Sequence, residues 1–267
     1  MRRAAALHPL ARRSAVLLAL FRLYLRYLFW RRFHGVRLAR SSALFAPAGR
    51  PLVIYCNHPS WWDPALLLLA LPHLLPGRRG FGPMDAAELE RYGLFRRMGL
   101  FGIEPGSAAG GRVFLRTALA GLRAPDACLC VTAEGSFTDP RLRPVRLRPG
   151  LAHLARLCPE ALFVPLALEY GFWNESKPEA LLRFGPPVHP PEGDGGWSVA
   201  DWQRALQAGL TATMDALAAE SATRKPAAFI QLFRGTAGVG GIYDAWRRLR
   251  ALAHGQRFDV RHQPGRH

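Results

Sequence analysis

The chain has 267 residues, 49% of them hydrophobic and 21% charged, which supplies enough apolar material for a sizeable core. With Gly 26 and Pro 22, the composition excludes a collagen-like, low-complexity or wholly disordered polypeptide. Lys+Arg 36 against Asp+Glu 19 leave a net charge of +17, which points to a polyanionic partner, either an anionic lipid surface or nucleic acid.

The first patterned segment, residues 14–30, is strongly apolar but is interrupted by Arg22 and Arg26 and followed at once by Arg31 and Arg32. Two central arginines make a membrane-spanning helix costly, and the lack of a small-residue cleavage site argues against a secretory signal. On a helical wheel Leu17, Phe21, Leu25, Leu28 and Phe29 share one side, with Arg22 and Arg26 turned toward the other. Such a basic amphipathic helix lies in a bilayer interface, or else packs on the domain with its arginines in water.

Beyond it, strand-like and helix-like segments alternate. Residues 51–56 (PLVIYC) read as a buried strand. Asp63-Pro64 opens a leucine-rich helix, with Asp63 available as N-cap and Pro64 at the first helical position. Asp85, with Glu88 three residues on, starts another helix toward Met98. Residues 112–122 read as helix, 128–132 (CLCVT) as a buried strand, 150–157 as helix and 161–168 (ALFVPLAL) as a third buried strand. Residues 181–184 add a further strand, and Ser198 with Asp201 caps a long helix reaching about Glu220. The alternation predicts an α/β domain with a mainly parallel central sheet flanked by helices. Three segments are expected: a basic membrane-associating stretch over 1–40, the α/β domain over 41–222, and a Gly-rich, basic tail over 223–267. The Gly-rich stretch 235–241 reads as a connector, and residues 242–254, with Trp246, Arg247, Arg248, Leu249 and Arg250, as a second surface helix.

Cys56, Cys128, Cys130 and Cys158 form no CxxC pair and lie in apolar runs, so they read as buried thiols of a reducing compartment, with no metal site. In an open parallel sheet, ligands bind outside the carboxyl ends of the strands. Two polar clusters fall there: NHPSWWD, from Asn57 to Asp63, and Glu134-Gly135-Ser136. His58 and Asp63 are separated by one loop, a spacing that lets the carboxylate hold one ring nitrogen while the other accepts a proton. No serine or cysteine stands at a nucleophile elbow, so the base would act directly on a substrate hydroxyl. The competing roles are a helix cap for Asp63 and an ordinary loop position for His58. Trp61 and Trp62 either face an acyl chain or lipid, or pack beneath the loop, and Leu66 to Leu69 reads as core.

With Val164-Pro165 inside the third strand, this combination resembles the glycerolipid (lysophospholipid, or 1-acylglycerol-3-phosphate) acyltransferase family over about residues 50–188. NHPSWWD fits that family's NHxxxxD block, EGS its EGT/EGS block, and Arg148-Pro149-Gly150 the basic segment that follows. The resemblance implies acyl transfer from acyl-CoA or acyl carrier protein to a lipid hydroxyl, with no cofactor, metal or covalent intermediate. His58 would deprotonate the acceptor and Asp63 would orient His58. Asn57, Glu134, Gly135, Ser136 and Arg148 would bind substrate. The implied location is peripheral, on the cytoplasmic side of the cell membrane, without nucleic acid as a partner. Two departures stand out. Gly102-Ile103-Glu104-Pro105-Gly106 carries glutamate where the family places a cation, and Phe137 replaces the arginine that commonly follows EGT. Arg112, Arg141, Arg143, Arg146 or Arg148 would then meet an acceptor phosphate. The departures also leave open a glycolipid or glycosylated isoprenoid acceptor. A hydrolase using His58 to activate water and a non-catalytic basic membrane-binding module are the remaining alternatives.

Overall fold

The computed structural model describes residues 8–43, 47, 49–190, 196–237, 246, 249–250 and 252–254. Eight strands form one sheet: β1 (Gly35–Ala39), β2 (Leu52–Cys56), β3 (Arg79–Asp85), β4 (Leu100–Ile103), β5 (Ala127–Thr132), β6 (Leu162–Gly171), β7 (Glu179–Phe184) and β8 (Phe229–Arg234). Their spatial order is β4-β3-β5-β2-β6-β7-β1-β8, and of these eight described strands the pairs β6–β7 and β1–β8 are antiparallel and the others parallel. The mainly parallel α/β sheet expected from the sequence is present.

Every residue of β2 is buried because both faces of the sheet are covered. Leu52, Ile54 and Cys56 join a core with Phe29 and Leu66, beneath α1 (Ala15–Arg32) and α2 (Asp63–Leu74). Val53 and Tyr55 point the other way, toward Phe114, Leu154 and Leu206 of α4 (Ala108–Leu122), α5 (Gly150–Leu157) and α6 (Val199–Ala222). Helix α6 begins with the expected capping box between Ser198 and Asp201. The helix begun at Asp85 is shorter than its pattern suggests: α3 (Ala86–Arg91) gives way to a 3-10 turn over Gly93–Met98. Leu66, Leu67 and Leu69 are core, as expected.

Strand β1 lies within the first forty residues yet sits inside the sheet between β7 and β8, and β8, beyond residue 223, forms its edge. Of the Gly-rich stretch, Gly235 and Thr236 are fixed, donating their N–H groups to His34 O and Trp30 O and so capping the end of α1. Residues 238–241 and most of 242–254, including Arg247 and Arg248, lie outside the described residues.

Helix α1 is hydrophobic on more than one face. Leu18, Leu25 and Phe29 are buried against the domain, whereas Leu20, Leu23, Tyr24, Tyr27 and Trp30 are each at least half exposed. Its arginines are not all in water: Arg26 is exposed, but Arg22 is half-buried and its Nε has no partner. Among the described residues no helix is long and apolar enough to cross a membrane.

Strand β1 carries a buried charge. Arg37 Nε donates to Glu179 Oε2 at 2.9 Å, His34 Nδ1 lies 2.6 Å from Glu179 Oε1, and Trp173 stacks on the guanidinium. Burial pushes the Glu179 carboxyl up, but the hydrogen bonds from His34 and Arg37, with their charges, outweigh it and hold it below its ordinary value. A depressed carboxyl stabilises the fold above its unfolded pKa, near 4.3, and this contribution is lost as pH falls through the folded value. Glu179→Gln is therefore expected to cost roughly 3–5 kcal/mol at neutral pH, because Arg37 is left buried without its counter-charge. Chemical denaturation at pH 7 and pH 3 checks this: the difference between wild type and variant should shrink in acid.

Candidate active site

The site forms where β2 and β5 end side by side, Cys56 being in register with Thr132. Asn57 follows β2 directly. Its Nδ2 donates to Leu168 O at 2.9 Å and its Oδ1 accepts from Leu168 N at 2.8 Å, so the amide prolongs the β2–β6 ladder. Asn57 is fully buried, and both ends of its amide are bonded to the scaffold.

The chain then turns through Pro59 and Ser60 into α2, and this turn aims the catalytic candidates at one another. His58 Nδ1 lies 2.7 Å from Asp63 Oδ2, with the imidazole side chain 15% exposed and the carboxylate fully buried. Asp63 is the first residue of α2 and Trp62 is the N-cap residue, without a side-chain cap. Asp63 thus does not take the capping position proposed for it. Instead Oδ2 also accepts the Ser60 N–H at 3.0 Å, and Oδ1 accepts the Tyr170 hydroxyl at 2.7 Å. The buried carboxylate thus meets three partners, the His58 ring, the Ser60 N–H and the Tyr170 hydroxyl. With the ring proton on Nδ1, shared with Asp63, Nε2 carries the lone pair, which is the arrangement a general base requires.

Tyr170 carries no local sequence signal that would mark it as part of the site. It lies one residue before the end of β6, donates its hydroxyl to Asp63 and packs its ring on Phe33. Burial, then the Asp63 charge, push its phenol well above the ordinary range, so it remains a neutral donor to Asp63. Removing one such hydrogen bond to a charged group is worth about 1.5 kcal/mol, or roughly tenfold in rate. Tyr170→Phe is expected to lower kcat about tenfold with KM little changed, measured by steady-state kinetics.

The EGS segment braces the backbone of His58. Glu134 Oε2 accepts the His58 N–H at 2.9 Å, and Thr138 N donates to His58 O at 2.9 Å. Glu134 is buried, and burial raises its carboxyl pKa, partly offset by the His58 hydrogen bond. Its placement is that of a strut for the base. Gly135 has φ +69, a left-handed conformation that glycine adopts without strain, and a Cβ there would meet Arg148 Cγ and Nε at 2.9 Å. The exposed Arg148 therefore lies directly against the EGS turn, with Ser136 exposed beside it. Arg141 and Arg143 are committed to Asp139 and Asp215, each at 2.6 Å.

Phe137 also has a definite position. Its ring centroid is 4.4 Å from that of His58, and the residue is 63% exposed, so an apolar ring lies against one side of the imidazole. The two tryptophans divide: Trp62 packs edge-on against Phe29 and Phe33, whereas Trp61 is 71% exposed. Burial, followed by the charges of Asp63 and Glu134, raises the Cys56 thiol well above its ordinary value, so it is no rival nucleophile.

No protein-family model matches the chain, and no curated protein matches its sequence. Among solved structures it is similar to the 1-acyl-sn-glycerophosphate (LPA) acyltransferase PlsC from Thermotoga maritima, at 16% identity and a TM-score of 0.55. The similarity covers 76% of this chain and 80% of that one. The two proteins share an α/β fold.

Proposed function

We propose that the chain is a membrane-associated O-acyltransferase that moves a fatty acyl group from acyl-CoA or acyl carrier protein to a hydroxyl of a lysophospholipid or 1-acylglycerol-3-phosphate type of lipid. The observation that carries this reading is the 2.7 Å pairing of Nδ1 of the partly exposed His58 with the buried Asp63, which leaves Nε2 free of that contact. In the reaction, Nε2 takes the acceptor's hydroxyl proton while the oxygen attacks the thioester carbonyl. Asp63 stabilises the imidazolium. Collapse of the tetrahedral intermediate expels the thiolate, which recovers the proton from Nε2 as a thiol, and the products are one ester and one free thiol. Arg148, beside Gly135, is the candidate partner for an acceptor phosphate.

Membrane association, which we place at the cytoplasmic face as part of this proposal, is supported by the exposed apolar residues of α1. Its outward Leu20, Leu23, Tyr24, Tyr27 and Trp30 would enter the interface, with arginines at headgroup depth. Phe137 in place of a cation favours a second acceptor class, a glycolipid or glycosylated isoprenoid, because an apolar ring beside the base suits a lipid hydroxyl that carries no phosphate. The test is to incubate the full chain and labelled acyl-CoA with vesicles bearing lysophosphatidic acid, a lysophospholipid or a glycolipid, and to identify products by mass spectrometry. A newly acylated lipid in one arm is expected. Fatty acid released at the same rate with and without acceptor would replace this reading by hydrolysis.

A further inference from the structure

A cavity also lies away from His58. It is a groove of about 490 Å³ between α1 and the β1–β8 edge of the sheet. Helix α1 supplies one wall through Leu23, Arg26, Tyr27 and Trp30, and the opposite rim is Arg234 with Gly235. Its floor is apolar, made by Phe29, Val36 and Phe233. Among the described lining residues there are two arginines and no carboxylate.

We propose that this groove binds one anionic phospholipid molecule. Its lining is divided as such a ligand is divided. A phosphate at the rim would meet guanidinium groups, which bind it bidentately, while the first methylenes of an acyl chain would cover the aromatic floor. Arg26 is held over the Phe233 ring, 5.9 Å from its centroid, which keeps the cation at the mouth. The field beyond Gly235 is also positive. Lys177 donates to Thr236 Oγ1, and burial, then Arg31 and Arg32, lower its pKa, as expected of a cation in a basic cluster. Leu23, Tyr27 and Trp30 line the groove and are also at least half exposed on the outer face of α1, so the mouth opens onto the surface assigned above to the membrane. A lipid would pass in laterally from the bilayer. A zwitterionic lipid would bring its own cation against the arginines, which makes the anionic headgroup the preferred one.

The inference rests on the membrane-docking part of the proposed function for how the lipid arrives, and is independent of acyl transfer. It is tested by titrating the full chain calorimetrically with dihexanoyl-phosphatidylglycerol below its micelle concentration, in parallel with dihexanoyl-phosphatidylcholine and inorganic phosphate. Saturable binding at one lipid per chain is expected, at least tenfold tighter than either comparison ligand. Arg26→Gln combined with Arg234→Gln should weaken it at least tenfold with an unchanged melting temperature. Arg148→Ala and His58→Ala should leave it unaltered. Equal affinity for the choline lipid, equal affinity for inorganic phosphate, or no binding of monomeric lipid would each overturn the proposal. Loss of binding in Arg148→Ala would overturn it too, by placing the lipid beside His58. Failure of acyl transfer alone leaves these readouts intact and therefore falls on the proposed function only.

Discussion

His58→Ala is expected to lower the rate of acyl transfer by about 10³- to 10⁴-fold, because a positioned base contributes up to that much and nothing nearby replaces it. The neighbouring groups support this. Glu134 is spent on the His58 backbone N–H, the Cys56 thiol is held protonated by burial, and Tyr170 is a neutral phenol committed to Asp63. The fold should survive the change: the imidazole is partly exposed, and Asp63 keeps the Ser60 N–H and the Tyr170 hydroxyl as donors. The measurement is the initial rate of thiol release in the presence of acceptor, with circular dichroism as the control for folding.

Asp63→Asn is expected to be as damaging, by about 10⁴-fold in kcat, although it preserves size and packing. A carboxylate accepts from Nδ1–H and so leaves Nε2 able to take a proton. A carboxamide can donate to Nδ1 instead, which transfers the ring proton to Nε2 and removes the base. It also forfeits the charge that stabilises the imidazolium. If the loss arises from the wrong tautomer, raising the pH will not restore the rate, and a full pH–rate profile of the variant shows this. Recovery of wild-type rates at high pH would reduce Asp63 to an electrostatic adjunct.

Much of this site was legible in the chain itself, because strand ends and short motifs are local features. The apolar runs that became β2, β5, β6 and β7 stood out, and the parallel arrangement then placed the ends at Cys56 and Thr132 on one edge. Strands β3 and β4 were not legible: Gly80, Gly82 and Pro83 depress strand propensity in one, and the other is only four residues long. Strand β1 hides behind α1, and its Arg37 reads as a surface residue until Glu179, far along the chain, is brought beside it. The same holds for the site's supporting groups. Tyr170 reaches Asp63 only because β6 runs on past its apolar segment to Gly171, and Asn57 bonds to Leu168 only because β2 and β6 are neighbours. The outward apolar residues of α1 share a helix with its buried ones, so the wheel showed amphipathicity without showing which side the domain would cover.

The measurement that tests the central claim most directly is a paired assay of thiol release and acylated lipid in one reaction, run with wild type and His58→Ala on vesicles containing the accepted lipid. A base that activates the acceptor hydroxyl predicts one acylated lipid per thiol in the wild type and the loss of both in the variant. Undiminished turnover by His58→Ala, or thiol released with fatty acid and no acylated lipid, would contradict it.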